Sequence, residues 1–310
     1  MPTIHGIIPA MITPFREDER IDFGPWQRLI DELIRAGVDG LFCGGSSGEF
    51  FALEMEERQV TLRFCRQQAA GRVPVYGNVG CITTRDTIKL ARFAEAEGVD
   101  VLVVITPYYA QLSQDELGEH FIEVCRSVRA PVLAYNFPPH GGTQLAPETL
   151  ARIVGRCENL VGIKDSSGNL QLGVAYGATV PVLVGPENLI IDALDHGLAG
   201  TVTALANIAP RLFVDLYRAI REGRRDDAAR LQGLVNGMCG WVLAHTFPSM
   251  LKEAMALTGR PVGSCRKPIG PVPPEARARV AAGIEQLRAE GYIDEPTGRG
   301  TESISSPARA

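Results

Sequence analysis

Thr84-Arg-Asp-Thr-Ile-Lys-Leu-Ala-Arg-Phe-Ala-Glu-Ala-Glu97, then Gly98, then Val99-Asp-Val-Leu-Val-Val-Ile105 is the stretch whose reading sets the fold. Its first part reads as a helix that stops at glycine, the residue that most readily closes a helix end. Its second part is a short run rich in β-branched residues, as expected of a strand buried on both faces. The same unit recurs along the chain. Apolar runs stand at 7–12, 40–43, 73–78, 99–105, 131–136, 160–164, 181–185 and 200–203. Helical stretches separate or follow them at 23–36, 54–69, 84–97, 113–128, 147–155, 170–177, 188–196 and 210–222. The second of these opens with acidic residues, which favour a helix N-terminus, and the fourth opens Ser113-Gln-Asp-Glu116, a capping-box pattern. Eight strands each followed by a helix predict an α/β fold, an (α/β)8 TIM barrel. The structural rival is a doubly wound open sheet, which usually has fewer strands and carries G-x-G-x-x-G after the first; that motif is absent here.

Past residue 224 the alternation stops. Helices are expected at 226–242, 247–257 and 274–290, with a Gly/Pro-rich connection at 259–274. The expected organisation is a catalytic barrel over 1–224, a three-helix C-terminal extension over 225–295, and a Gly/Ser/Thr-rich disordered tail over 296–310.

Composition narrows the function classes. Of the 310 residues, 45% are hydrophobic but only 6% aromatic, so the core must rest on Val, Ile, Leu and Ala. A net charge of −5 argues against a general nucleic-acid binder. The longest charge-poor stretch, 234–251, is broken by Asn236, Gly237, Gly240, His245 and Pro248, which makes a poor membrane span. Seven widely spaced cysteines without C-x-x-C point to reduced thiols in a cytoplasmic protein rather than a disulfide framework or zinc site. No basic-then-apolar secretory pattern opens the sequence. A P-loop and H-E-x-x-H are absent, and the five histidines read as surface or satisfied residues, so neither a metal nor an organic cofactor is expected.

In a barrel, chemistry belongs where strands end and the following loops begin. Strand six ends Ile163-Lys164-Asp165-Ser-Ser-Gly168, and strand five ends Tyr135-Asn-Phe-Pro138. Lys164 closes an otherwise apolar run, so it either snorkels to the rim, pairs with Asp165, or serves as an imine-forming amine. An ordinary lysine amine, with a pKa of about 10.4, is neutral in roughly one molecule in 2,500 at pH 7. A dry barrel mouth raises that fraction and makes an amine a usable nucleophile. Tyr135, on the adjacent strand, is either a core tyrosine or a phenol able to relay protons to a carbonyl oxygen or leaving hydroxyl. After strand two comes Gly44-Gly45-Ser46-Ser47-Gly48-Glu49. This is either a plain tight turn or a loop whose backbone approaches a ligand and whose successive N–H groups hold a carboxylate.

With these segments in view, the chain resembles the dihydrodipicolinate synthase / N-acetylneuraminate lyase family. The likeness rests on Gly6-Ile-Ile-Pro-Ala-Met-Ile-Thr-Pro-Phe15, the Gly44–Glu49 loop with Leu53-Glu-Met-Glu-Glu-Arg58, Thr106-Pro-Tyr-Tyr109, Tyr135-Asn-Phe-Pro138 and Gly162-Ile-Lys-Asp-Ser-Ser-Gly168, in that order. The resemblance implies a lyase in which Lys164 forms a Schiff base with pyruvate or another 2-oxo acid and Tyr135 relays protons. It implies that the backbone N–H groups of Ser46 and Ser47, with Gly45 beside them, hold the substrate carboxylate. It also implies that the Ser46 hydroxyl bridges to Tyr135, that Tyr109 reaches across a subunit interface of a homotetramer or dimer, and that Thr203 and Ile163 line the pocket.

One departure bears on the substrate. Dihydrodipicolinate synthases resemble Tyr-Asn-x-Pro-x-Arg-Thr-Gly after strand five, whereas this chain has His140 and no arginine there. Histidine cannot make arginine's bidentate grip on a carboxylate. The segment is more similar to those of 2-keto-3-deoxy sugar acid aldolases and dehydratases, with dihydrodipicolinate synthesis as the alternative. His140, Glu187 and Asn188 are the expected contacts of the variable half of the substrate. From a different class, a serine hydrolase remains open: Gly44-Gly-Ser-Ser-Gly48 fits G-x-S-x-G with Ser46 as nucleophile, followed by Asp192 or Asp195 and His196 or His245. A non-catalytic binding protein on the same barrel is the third reading.

Overall fold

The computed structural model describes residues 3–294. All eight apolar runs form strands: β1 Gly6–Pro9, β2 Leu41–Cys43, β3 Val75–Asn78, β4 Val101–Ile105, β5 Val132–Asn136, β6 Leu160–Asp165, β7 Val182–Val184 and β8 Gly200–Thr203. They pair in parallel in the order β1-β8-β7-β6-β5-β4-β3-β2. The ring closes where Ala10 bridges Phe42 in parallel and the Met11 N–H donates to the Phe42 carbonyl at 2.9 Å. Several strands begin one or two residues later than the apolar run suggests. Val99 shows why. Its N–H still closes the preceding helix by donating to the Ala94 carbonyl at 3.0 Å, across Gly98 at φ 75°.

The surrounding helices are α1 Phe23–Arg35, α2 Met55–Ala69, α3 Thr84–Ala96, α4 Gln114–Arg126, α5 Pro138–Gly141, α6 Pro147–Val154, α7 Leu170–Gly177, α8 Ile190–Asp195 and α9 Pro210–Arg221. The box expected at α4 is present: Ser113 Oγ accepts from the Glu116 N–H, and Glu116 Oε2 accepts from the Ser113 N–H. No helix was expected over 138–141, where the short α5 forms. Helices α10 Arg225–Val242, α11 Ser249–Leu257 and α12 Pro274–Ala289 follow the barrel. The tail expected at 296–310 lies outside the described residues. Among the described residues no helix is long and apolar enough to cross a membrane.

Strand alternation divides the core in two. Ile8, Phe42, Tyr76, Val101, Val103, Leu133, Tyr135, Leu183 and Val202 fill the barrel. Their neighbours Ile7, Leu41, Leu102, Val104, Ala134, Ile163 and Val182 face the helices. Because every strand runs the same way, the ends of β2, β5 and β6 share one mouth.

Candidate active site

Tyr135 and Lys164 occupy matching positions on β5 and β6, and both point into the barrel. Lys164 is 6% exposed. Its Nζ stands 4.0 Å from the centroid of the Tyr135 ring and 4.9 Å from that of Phe42. The Phe42 ring meets Tyr135 edge-on at 6.3 Å, and Phe137 stacks on Tyr135 at 5.8 Å. Among the described residues, no carboxylate lies within 4.0 Å of this amine and no acceptor receives a hydrogen bond from it. A lysine this far buried, with aromatic faces and no carboxylate beside its amine, is unusual outside sites where chemistry needs it.

Asp165, the partner considered for Lys164, faces the other side of the sheet. Its Oδ1 accepts from Asn136 Nδ2 at 2.8 Å and its Oδ2 from Ser167 Oγ at 2.8 Å. Burial pushes its carboxyl above the usual range, and those hydrogen bonds pull it part of the way back. Asn136 Oδ1 in turn accepts from the Leu145 N–H at 3.0 Å. These bonds lock the ends of β5 and β6 in register, which holds Tyr135 against Lys164.

The glycine-rich loop leaves β2 at the same mouth. Ser46–Gly48 forms one 3-10 turn, closed by the Gly48 N–H on the Gly45 carbonyl at 3.0 Å and the Glu49 N–H on the Ser46 carbonyl at 3.1 Å. The N–H groups of Ser46 and Ser47 donate to no acceptor among the described residues. The turn is fastened from the end of β3 and from the loop after β1. Asn78 Nδ2 donates to the Gly44 carbonyl and Thr13 Oγ1 to the Gly48 carbonyl, each at 2.8 Å. Gly45 is at φ −80°, open to any residue. What requires glycine is space, since a Cβ there would stand 2.5 Å from Phe42 Cε1.

Other expected positions fall differently. Ile163 does not line the mouth, because it alternates with Lys164 and packs among the residues facing the helices. Thr203 follows the inward Val202 and turns its hydroxyl to Glu187 Oε1 at 3.1 Å. The same oxygen accepts from the Ala204 N–H at 3.0 Å, and burial pushes the Glu187 carboxyl above its usual range. Glu187 and Thr203 are thus joined to each other, while Asn188 is exposed. His140, also exposed, places its ring 4.6 Å from Phe137, so aromatic contacts run from the rim to Tyr135. No hydrogen bond joins the Ser46 hydroxyl to Tyr135 among the described residues. Tyr109 is 93% exposed, at φ 79°, so its ring projects from the surface and does not reach the Tyr135 and Lys164 pair.

The surroundings of Ser46 do not favour the hydrolase reading. His196 Nδ1 bonds the Asp192 carbonyl of its own helix at 2.8 Å, Asp195 pairs with Arg225 at 2.7 Å, and no histidine hydrogen-bonds Ser46 among the described residues. No group of three or more His, Cys, Asp or Glu is placed to hold a metal among the described residues. Sequence reading missed Phe42, Asn78 and Thr13. A polar Asn78 ending an apolar strand carried a signal of the same kind as Lys164. Phe42 carried none, because inward and outward residues look alike in a strand buried on both faces.

Comparison with known proteins places this geometry. The model of the dihydrodipicolinate synthetase family matches residues 3–287. The "Probable 2-dehydro-3-deoxy-D-pentonate aldolase YjhH" of Escherichia coli is 36% identical over 94% of this chain and 99% of that one. The 4-hydroxy-tetrahydrodipicolinate synthase of Nitratidesulfovibrio vulgaris is 33% identical over 90% of this chain and 98% of its own. The crystal structure of YagE, an E. coli prophage protein of the dihydrodipicolinic acid synthase family in complex with pyruvate, superposes with a TM-score of 0.88 at 35% identity. It covers 92% of this chain and 99% of that one. The chain is a lyase and belongs to the dihydrodipicolinate synthetase family.

Proposed function

We propose that this enzyme acts on 2-keto-3-deoxy sugar acids, as an aldolase or dehydratase, through an imine on Lys164. The observation that carries the reading is the Lys164 amine, buried at the barrel mouth, partnered by no acid and seated against the Tyr135 ring. The amine attacks the 2-oxo carbon, and the carbinolamine loses water with Tyr135 passing the proton to the departing hydroxyl. The resulting iminium is a cation, which the faces of Tyr135 and Phe42 favour at that nitrogen. It draws electrons from C3. In an aldol cleavage Tyr135 takes the C4 hydroxyl proton, the C3–C4 bond breaks to release an aldehyde and an enamine remains; in a dehydration the C3 proton passes through Tyr135 to the hydroxyl on C4, which departs as water. Protonation of the enamine, or rearrangement after dehydration, and hydrolysis then free the amine.

The unshared N–H groups of Ser46 and Ser47 suit the 2-oxo acid carboxylate, with Gly45 allowing close approach. His140 and Asn188 on the rim, with Glu187 behind them, are assigned to the variable half of the substrate. The relatives YjhH and YagE, the latter bearing the name "Putative 2-dehydro-3-deoxy-D-gluconate aldolase", and the histidine at position 140 favour this substrate class over dihydrodipicolinate synthesis. A homo-oligomer, tetramer or dimer, is proposed because Tyr109 and Phe51 are exposed beside the packed pair Phe50 and Tyr108, a surface suited to a second copy. A cytoplasmic setting is proposed on seven cysteines that all stand unpaired.

The test is borohydride trapping with pyruvate, read by intact mass and peptide mapping, followed by turnover with C5 and C6 deoxy keto acids. A reduced pyruvate adduct on Lys164 is expected. No adduct with any 2-oxo acid would remove the proposal.

A further inference from the structure

The loop that offers its N–H groups to a carboxylate ends in a residue that the proposed chemistry does not use. Glu49 is non-glycine, yet sits in the left-handed region at φ 54°, ψ 39°, a conformation that β-carbon sterics disfavour. Its N–H closes the Ser46–Gly48 turn. Its carboxylate, wholly buried, meets Lys252 Nζ at 2.6 Å and accepts from the Arg266 N–H at 3.0 Å. Lys252, on α11, is buried as fully, donates to the Ser264 carbonyl at 3.0 Å and lies 4.1 Å from the Phe15 ring. Arg266 adds a grip on the same loop. Its Nη1 donates to the Ala52 carbonyl at 2.7 Å, and its Nη2 bonds Glu57 at 2.5 Å.

We propose that Glu49 and Lys252 are positioning residues for the substrate carboxylate, holding the Ser46 and Ser47 amides at the barrel mouth from the C-terminal helices. This rests on the imine reading above. A buried ion pair adds little stability over an apolar pair of the same volume. What it supplies here is direction: with Lys252 at one carboxylate oxygen and the Arg266 N–H on the other, the Glu49 side chain has one place to go, which keeps the backbone of residue 49 in its disfavoured conformation. The turn before it then has one geometry, and its free N–H groups are set before substrate arrives. The segment after α11 enters the site without touching substrate.

The variant to make is Glu49→Gln with Lys252→Met, which removes both charges together and leaves neither one orphaned. The pyruvate concentration giving half-maximal borohydride trapping is expected to rise at least tenfold, with the limiting yield on Lys164 kept within about threefold and melting little changed. A structural role alone would lower the melting temperature and leave half-saturation where it was. Half-saturation within twofold of the native protein in a folded double variant overturns the proposal. Should that variant not fold, Lys252→Arg takes the same reading, since it keeps the charge but not the point geometry. A rise again supports the proposal and an unchanged value overturns it. If the native protein itself is not trapped by pyruvate, the imine reading fails and this falls with it; if the native protein is trapped, only the positioning role is at stake.

Discussion

Gly45→Ala tests whether the carboxylate loop and the amine site are one packed object. The backbone at 45 accepts alanine, so any effect comes from the added methyl group. That carbon would stand 2.5 Å from Phe42 Cε1, 3.1 Å from Cζ and 3.2 Å from Cδ1. Carbon atoms settle at about 3.5–4.0 Å, so the ring or the loop must move by about 1 Å. The ring has little room, since its face carries the Lys164 amine at 4.9 Å and Tyr135 stands at 6.3 Å. Overpacking of this kind costs about 1–3 kcal/mol, which in a chain of this size lowers the melting temperature by about 2–6 °C. A displacement of about 1 Å at a reacting group also costs roughly 100-fold in rate. The assay is the rate of pyruvate trapping on Lys164 beside thermal unfolding. Adding Phe42→Leu to Gly45→Ala should recover most of the stability. Native trapping and melting in Gly45→Ala alone would refute the reasoning, because the ring would then have room that the packing denies it.

Lys164→Met should abolish trapping and leave the melting temperature equal or higher, because it replaces a largely buried lysine that has no acid partner by an apolar side chain of similar length; a lower melting temperature would show that the ring faces of Tyr135 and Phe42 stabilise the amine by more than its burial costs. Tyr109→Ala and Lys164→Met should each be inactive alone yet regain turnover when unfolded together and refolded as mixed oligomers, if Tyr109 serves a neighbouring subunit's site; no recovery would place Tyr109 outside the chemistry. His120 is buried, with Nδ1 on Thr84 Oγ1 at 2.9 Å and Nε2 unbonded among the described residues, and burial pushes it down from 6.5 to about 4. Between those values the unfolded chain binds the extra proton, so stability is full above pH 6.5 and falls as pH drops towards 4, by about 2–3 kcal/mol at pH 4.5. Urea midpoints for the native protein and His120→Gln should diverge in their pH dependence over that window, and parallel curves would contradict the assignment.

Much of the fold was legible before any coordinate. Helices that stop at Gly98 or open at Ser113 declare themselves through local chemistry. A lysine ending the apolar run before Asp165 is conspicuous because nothing in a strand interior wants a charge. The capping of β5 and β6 by Asn136 and Asp165 was not legible, since its partners are separated by 29 residues. Nor was the role of Glu49, whose partner Lys252 lies some two hundred residues away and reaches it only through the third dimension.

By itself, the amino-acid sequence determined the alternation of strand and helix, the barrel, the family, and which amine and phenol stand at strand ends, because each depends on periodicity, capping or local motif. The tertiary structure alone decided that Ile163 faces the helices, that Thr203 and Glu187 bind each other, that Asp165 turns away from Lys164, and that Phe42 covers the amine. A strand buried on both faces carries no polarity contrast to say which side is inward. Direction is set when eight strands close on one another, and no window of sequence contains that closure.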